Sequence, residues 1–137
     1  MKKLYVLILF VSTLGCIKKQ IEEKQENLLV QVMTNGQWKV TGFTTGSTDI
    51  TSNFSLYKFQ FKSDLTVDAI NNGTVEKTGS WDANMTAQSI TSNFTNASSP
   101  VLYLNGTWNI TSTTWTSVQA SQTVSGEIRT LQLDKQP

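Results

Sequence analysis

Histidine is absent from this sequence, cysteine occurs once, proline twice and arginine once, at position 129. Without His, no Ser-His-Asp triad, Cys-His pair or HExxH zinc site can be assembled, and a single Cys excludes both zinc-finger spacings and an internal disulfide. Composition alone thus removes most hydrolase and metal-dependent chemistry. The expectation is a protein that binds and is not an enzyme, with no cofactor and no metal. Charge of one sign is lacking too, since 11 Lys and Arg face 10 Asp and Glu for a net +1. Affinity for nucleic acid comes mainly from neutralising phosphates, so no nucleic-acid partner is expected. The one long apolar run, residues 4–14, falls short of the roughly 20 residues a membrane-spanning helix needs. What the 137 residues do contain is Thr and Ser, about a quarter of the chain, with 38% hydrophobic residues. That balance favours strands over helices and suits one domain.

The beginning of the chain reads as an address. Lys2 and Lys3 precede the apolar run Leu4 to Leu14, and Gly15-Cys16 ends it, which has the form of a bacterial secretory signal. The small residue followed by Cys resembles the lipobox of bacterial lipoproteins. That resemblance implies cleavage before Cys16 and a lipid on its sulfur; the alternative is an ordinary signal peptide with an incidental Cys. The expected division is a signal peptide over residues 1–15, a lipidated tether over 16–20 and a domain over 21–137. Removing Lys2 and Lys3 leaves nine basic side chains against ten acidic ones, so no polybasic membrane patch is expected. The expected location is the bacterial cell envelope, at the outer membrane, with the lipid as the membrane contact.

Between Lys18 and Gln31 the chain is rich in Glu, Lys and Gln, and Ile21, Leu28, Leu29 and Val32 fall on one helical face. This predicts a short helix that lays its apolar stripe against the domain or presents it to a partner. Asn35-Gly36 breaks the pattern, and alternation begins. Strands are expected at Trp38 to Phe43, Phe54 to Lys62, Leu65 to Ala69, Thr74 to Asp82, Gln88 to Phe94, Thr107 to Ser112, Trp115 to Ser121 and Glu127 to Asp134. Thr44 to Asn53 reads as loop, Asn71-Asn72-Gly73 as a hairpin turn, and Val101 to Asn105 as a connector with a helical turn. Eight short consecutive strands leave two exposed edges unless the sheet closes. The predicted fold is therefore all-β, an eight-stranded antiparallel up-and-down barrel with a short N-terminal helix. The rival immunoglobulin-type sandwich often carries a Cys pair, which this chain lacks.

Gly36-Gln37-Trp38 at the start of the first strand resembles the lipocalin signature, a Gly-x-Trp that follows a short helix or turn. Arg129, on the predicted last strand and on the same face as Leu131 and Leu133, matches the lipocalin arginine that packs over this tryptophan. With the lipoprotein-like start, the aromatic strand Tyr57 to Phe61, Gly79-Ser80-Trp81 and the closing Leu131-x-Leu133-x-Lys135, the chain from about 30 to 135 is similar to lipocalin-like lipoproteins of Bacteroidetes. The resemblance implies stacking of Arg129 on Trp38 and a barrel with room for one small ligand. Tyr57, Phe59, Phe61, Trp81, Trp108 and Trp115 are the residues that would line such a pocket or else form the core.

Other constellations carry less. Asp49, Asp64, Asp68, Glu76, Asp82, Glu127 and Asp134 are scattered, so no two can be argued to be a catalytic pair. Seven Asn-x-Ser/Thr triplets, starting at Asn53, Asn72, Asn84, Asn93, Asn96, Asn105 and Asn109, reflect a composition rich in these residues in a bacterial setting. The expected function is non-catalytic binding of a small apolar ligand by a monomeric, lipid-anchored barrel. The alternative is an adhesion or protein-interaction module with a filled core, and the volume inside the barrel separates the two.

Overall fold

The computed structural model describes residues 28–137. Cys16 and the expected signal, tether and first helical residues lie outside them. Residues 28–34 are helical and bury Leu29, Val32 and Met33. Asn35 and Gly36 then turn the chain sharply, and Gly36 adopts φ +91, a conformation that costs a residue with a Cβ but not glycine.

Nine strands follow: β1 (Trp38–Thr45), β2 (Thr48–Asp49), β3 (Tyr57–Phe61), β4 (Thr66–Asn71), β5 (Thr74–Asn84), β6 (Ser89–Asn93), β7 (Gly106–Thr113), β8 (Ser117–Val124) and β9 (Glu127–Lys135). Short 3-10 turns occur at Thr51–Phe54 and Val101–Leu104. The expected loop from Thr44 holds β2, a two-residue strand that pairs only with the end of β1. The remaining eight strands are antiparallel neighbours in chain order, and β1 pairs with β9 to close an up-and-down barrel. Closure is uneven. The β1–β9 ladder runs from Trp38↔Lys135 to Thr45↔Arg129, with a bulge between Val40 and Gly42, whereas β1 meets β3 in one bridge, Trp38↔Phe59.

Alternation sets the inside. Tyr57, Phe59 and Phe61 of β3, Val118, Ala120 and Gln122 of β8, and Leu131 and Leu133 of β9 are buried, each two residues apart as the pleat requires. Three Gly-x-Trp triplets recur, and each indole is buried with its N–H donated to a backbone carbonyl: Trp38 to Met33, Trp81 to Lys62 and Trp108 to Leu104. Indole is the largest apolar side chain but carries one donor, which must find an acceptor when buried. Gly79, in the second triplet, lies so close to β6 that an added Cβ would sit 2.5 Å from the Asn93 carbonyl oxygen.

The meander gives the barrel two distinct ends. Its helix end carries residues 28–34, the start of β1, the end of β9 and the turns β3–β4, β5–β6 and β7–β8. Its far end carries both 3-10 turns and the turns β4–β5 and β8–β9. The expected strand start at Trp115 is corrected here: β8 begins at Ser117, and Trp115 lies in the β7–β8 turn with 55% of its surface exposed. Its odd position places it on the opposite parity from Val118 and Ala120, so it belongs to neither the core nor a pocket.

Candidate functional site

Four recesses bear on ligand binding: the lumen, an apolar cleft beside the helix, and two with more polar lining, one of about 400 Å³ along β1, β8 and β9 and one of about 390 Å³ along β3, β4 and the start of β5. In the lumen the aromatic side chains pack on one another. Phe43 stacks on Phe54 with ring centroids 5.2 Å apart and meets Trp108 edge-on at 5.6 Å. Tyr57 stacks on Phe59 at 6.1 Å, and Phe61 meets Trp81 edge-on at 5.3 Å. These are ordinary offset and T-shaped contacts, each stabilising by about 0.5–1.5 kcal/mol beyond burial. The space left among Phe59, Phe61, Ile90, Phe94, Trp108 and Leu133 is about 40 Å³. That is about the volume of one water, against roughly 300 Å³ for a small-molecule site. Of the residues singled out in the sequence, Phe59, Phe61 and Trp108 border this space, while Tyr57 and Trp81 do not.

The Arg129–Trp38 stack implied by the lipocalin resemblance is not formed. Trp38 lies opposite Lys135, six residues along β9 from Arg129, a separation of about 20 Å at the strand rise. Lys135 takes the position instead, with its ammonium 4.9 Å from the Trp38 ring and donating to the Val32 carbonyl at 3.2 Å. Burial pulls the Lys135 pKa below its ordinary value. Arg129 faces inward at the far end, over the Tyr103 ring at 5.1 Å. Its buried Nε has no hydrogen-bond partner, the Glu127 carboxylate oxygen being 3.7 Å away. A Cβ added at Gly36 would lie 3.6 Å from the stem of the same Lys135.

The titratable groups form structural pegs. The Tyr57 hydroxyl donates to the Glu76 carboxylate at 2.8 Å, and burial followed by that hydrogen bond pushes its pKa up to about 12. A phenol held neutral in this way is a poor base and a poor nucleophile. Asp68 pairs with Lys62 at 2.7 Å and accepts from the Thr78 hydroxyl at 2.7 Å, and the hydrogen bond from Lys62 holds its carboxyl below the usual range. Among the described residues no group of three or more His, Cys, Asp or Glu is placed to hold a metal ion.

The cleft is different in kind. It lies at the helix end between the helix, the β5–β6 turn and β7, has a volume of about 340 Å³, and is lined mainly by Leu28, Leu29, Val32, Met85 and Ile110, with Gln88 and Thr111–Thr113 on its polar side. Leu28, Leu29 and Val32 were legible as one helix face. Met85 and Ile110 were not, because the barrel brings them together from different hairpins; the available signal was an apolar residue in the turn Asn84-Met85-Thr86.

The architecture is that of a small closed β-barrel. It matches the 1.00 Å crystal structure of a DUF4847 family protein from Bacteroides vulgatus ATCC 8482, with a TM-score of 0.56 over 80% of this chain and 99% of that one. Sequence identity is 14%, so the likeness is one of fold. No family model and no curated protein matches the chain.

Proposed function

We propose that this chain is a lipid-anchored, non-catalytic binding protein of the bacterial cell envelope, held at the outer membrane through Cys16. It takes a small apolar ligand in the cleft beside the helix and not in the lumen. The observation that carries this reading is the cleft's volume combined with its lining: about 340 Å³ lined mostly by apolar side chains, against about 40 Å³ in the lumen and more polar lining in the two recesses of about 400 and 390 Å³. A cleft of that size falls at the lower bound of small-molecule sites. The absence of His in the sequence and the neutral, hydrogen-bonded state of Tyr57 support binding without chemistry.

Titration of the full chain with an environment-sensitive apolar dye tests the site. We expect saturable binding near one dye per chain, lost in Leu28→Glu and Met85→Glu, two changes at or near the surface that leave the melting transition in place. Unsaturable binding, or binding unchanged in both variants, refutes the cleft. The second reading, an adhesion or protein-interaction module, is favoured by the filled lumen and would act through the polar loops at Thr44 to Asn53 and Ser92 to Pro100. No dye binding to a cooperatively melting chain supports it.

A further inference from the structure

The three turns at the helix end share a feature that the fold does not require. Each places a large apolar side chain at its tip: Leu65 between β3 and β4, Met85 between β5 and β6, and Trp115 between β7 and β8. Leu65 is 42% exposed and Trp115 55%, and Leu28 of the helix adds another at 48%. At the far end the hairpin tips Asn72-Gly73 and Ser125-Gly126 carry none, but Leu56, Val75, Leu102 and Ile128 beside them are 42–61% exposed, so apolar exposure is common to both ends and the place where the chain enters distinguishes the helix end. Leu65 is held at φ +66, a left-handed conformation suited to Gly or Asn and unfavourable for Leu. An exposed apolar residue in a strained conformation satisfies neither folding nor solubility, so its contribution lies elsewhere.

We propose that the helix end of the barrel docks on the lipid bilayer, with Trp115 and Leu65 entering the headgroup and upper acyl region. The position of the chain outside the described residues selects this occupant. Leu28 opens the described structure at this same end, and Cys16 lies twelve residues earlier, a reach of at most about 40 Å when fully extended. The inference rests on the proposed anchor for this proximity. Trp at a membrane interface keeps its ring among apolar groups and its N–H in water. Charge is not the driving force, because Lys62 is paired with Asp68, and Asp64 accepts from the Thr66 backbone and hydroxyl. Docking is therefore by apolar insertion, onto zwitterionic lipid, with little dependence on salt.

Fluorescence reads this directly, since Trp38, Trp81 and Trp108 are buried and Trp115 is the exposed indole of the four. The full chain is reconstituted into phosphatidylcholine vesicles with or without bromine in the upper acyl chain. We expect brominated lipid to quench part of the emission and Trp115→Phe to remove that part. Leu65→Asn should raise the melting temperature by relieving the left-handed strain, yet lower vesicle binding of the Cys16→Ala chain about tenfold. A role in folding alone predicts no loss of binding. Co-sedimentation through Cys16 without quenching overturns docking and leaves the anchor standing. Failure of the full chain to co-sediment overturns the anchor and docking with it. Protection of Trp115 from aqueous iodide in a vesicle-free dimer overturns docking in favour of a second copy of the chain.

Discussion

Replacing Gly79 by Ala adds one methyl group where β5 and β6 come closest. The new Cβ would lie 2.5 Å from the Asn93 carbonyl oxygen and 2.8 Å from Cδ1 of Phe94, and neither neighbour can step aside. The first is backbone, and the second belongs to a buried ring that packs on Phe59 at 6.4 Å. Restoring an ordinary carbon–oxygen contact requires β5 and β6 to separate by roughly 0.8 Å, in an interior packed to crystal density. Gly79 sits one step beyond Ser80↔Asn93, the last pair of the β5–β6 ladder, so the displacement strains that pair first. Overpacking of this kind costs about 1–3 kcal/mol. For a domain of about 100 residues that lowers the melting temperature by about 4 to 12 °C. Thermal and urea denaturation followed by tryptophan emission would measure it, with an unchanged urea slope showing that the native state and not the unfolded chain is affected. Gly73→Ala, at φ +85 with nothing within 4 Å, isolates the backbone term of about 1 kcal/mol. If Gly79→Ala melts within about 1 °C of the parent, the close approach is not limiting and the reasoning fails.

Trp38→Phe removes the indole N–H that bonds the Met33 carbonyl at 2.9 Å and leaves a gap under Lys135; we expect a loss of about 2 kcal/mol in denaturant unfolding. Tyr57, with its pKa raised from 10.0 to about 12, binds its proton more tightly folded than unfolded. Its contribution is complete below pH 10 and is lost as pH rises toward 12. A decline of about 1.4 kcal/mol between pH 9 and pH 11 should therefore be visible in the parent and missing in Tyr57→Phe. Asp68 runs the other way: its depressed pKa gives stability that is present above about pH 5 and declines as pH falls through 3.8 and below. Asp68→Asn should cost about 1 kcal/mol at pH 7 and flatten this acid limb in a pH series of urea melts.

Much of the barrel was legible because burial on one face imposes a period of two. Tyr57, Phe59 and Phe61, or Leu131 and Leu133, cannot point inward in any other register, and eight such segments in series leave closure as the way to remove both edges. The 3-10 turn at Val101–Leu104 was legible only as an irregular connector open to a helical turn. Arg129 shows where this reasoning stops. Its parity correctly placed it inside, but the aromatic ring it meets depends on the β1–β9 register, which is set by closure between segments far apart in the chain. Trp115 is exposed for a simpler cause: it falls in the β7–β8 turn, before the pleat of β8 begins at Ser117. The cleft is the least legible feature, because Val32, Met85 and Ile110 share no periodicity and come from the helix, the β5–β6 turn and β7, which meet only in the closed barrel.

The long β1–β9 ladder also has a meaning in time. It joins Trp38 to Lys135, so the barrel has no closed form until the last nine-residue strand is available. Until β9 has emerged from the ribosome, β1 and β8 present open edges, and those edges are the ones that invite pairing with other chains. Closure of the barrel is thereby deferred until β9 has been made. The same arrangement makes loss of β9 far more damaging than the partial exposure of its residues suggests, since it reopens the cylinder between β1 and β8.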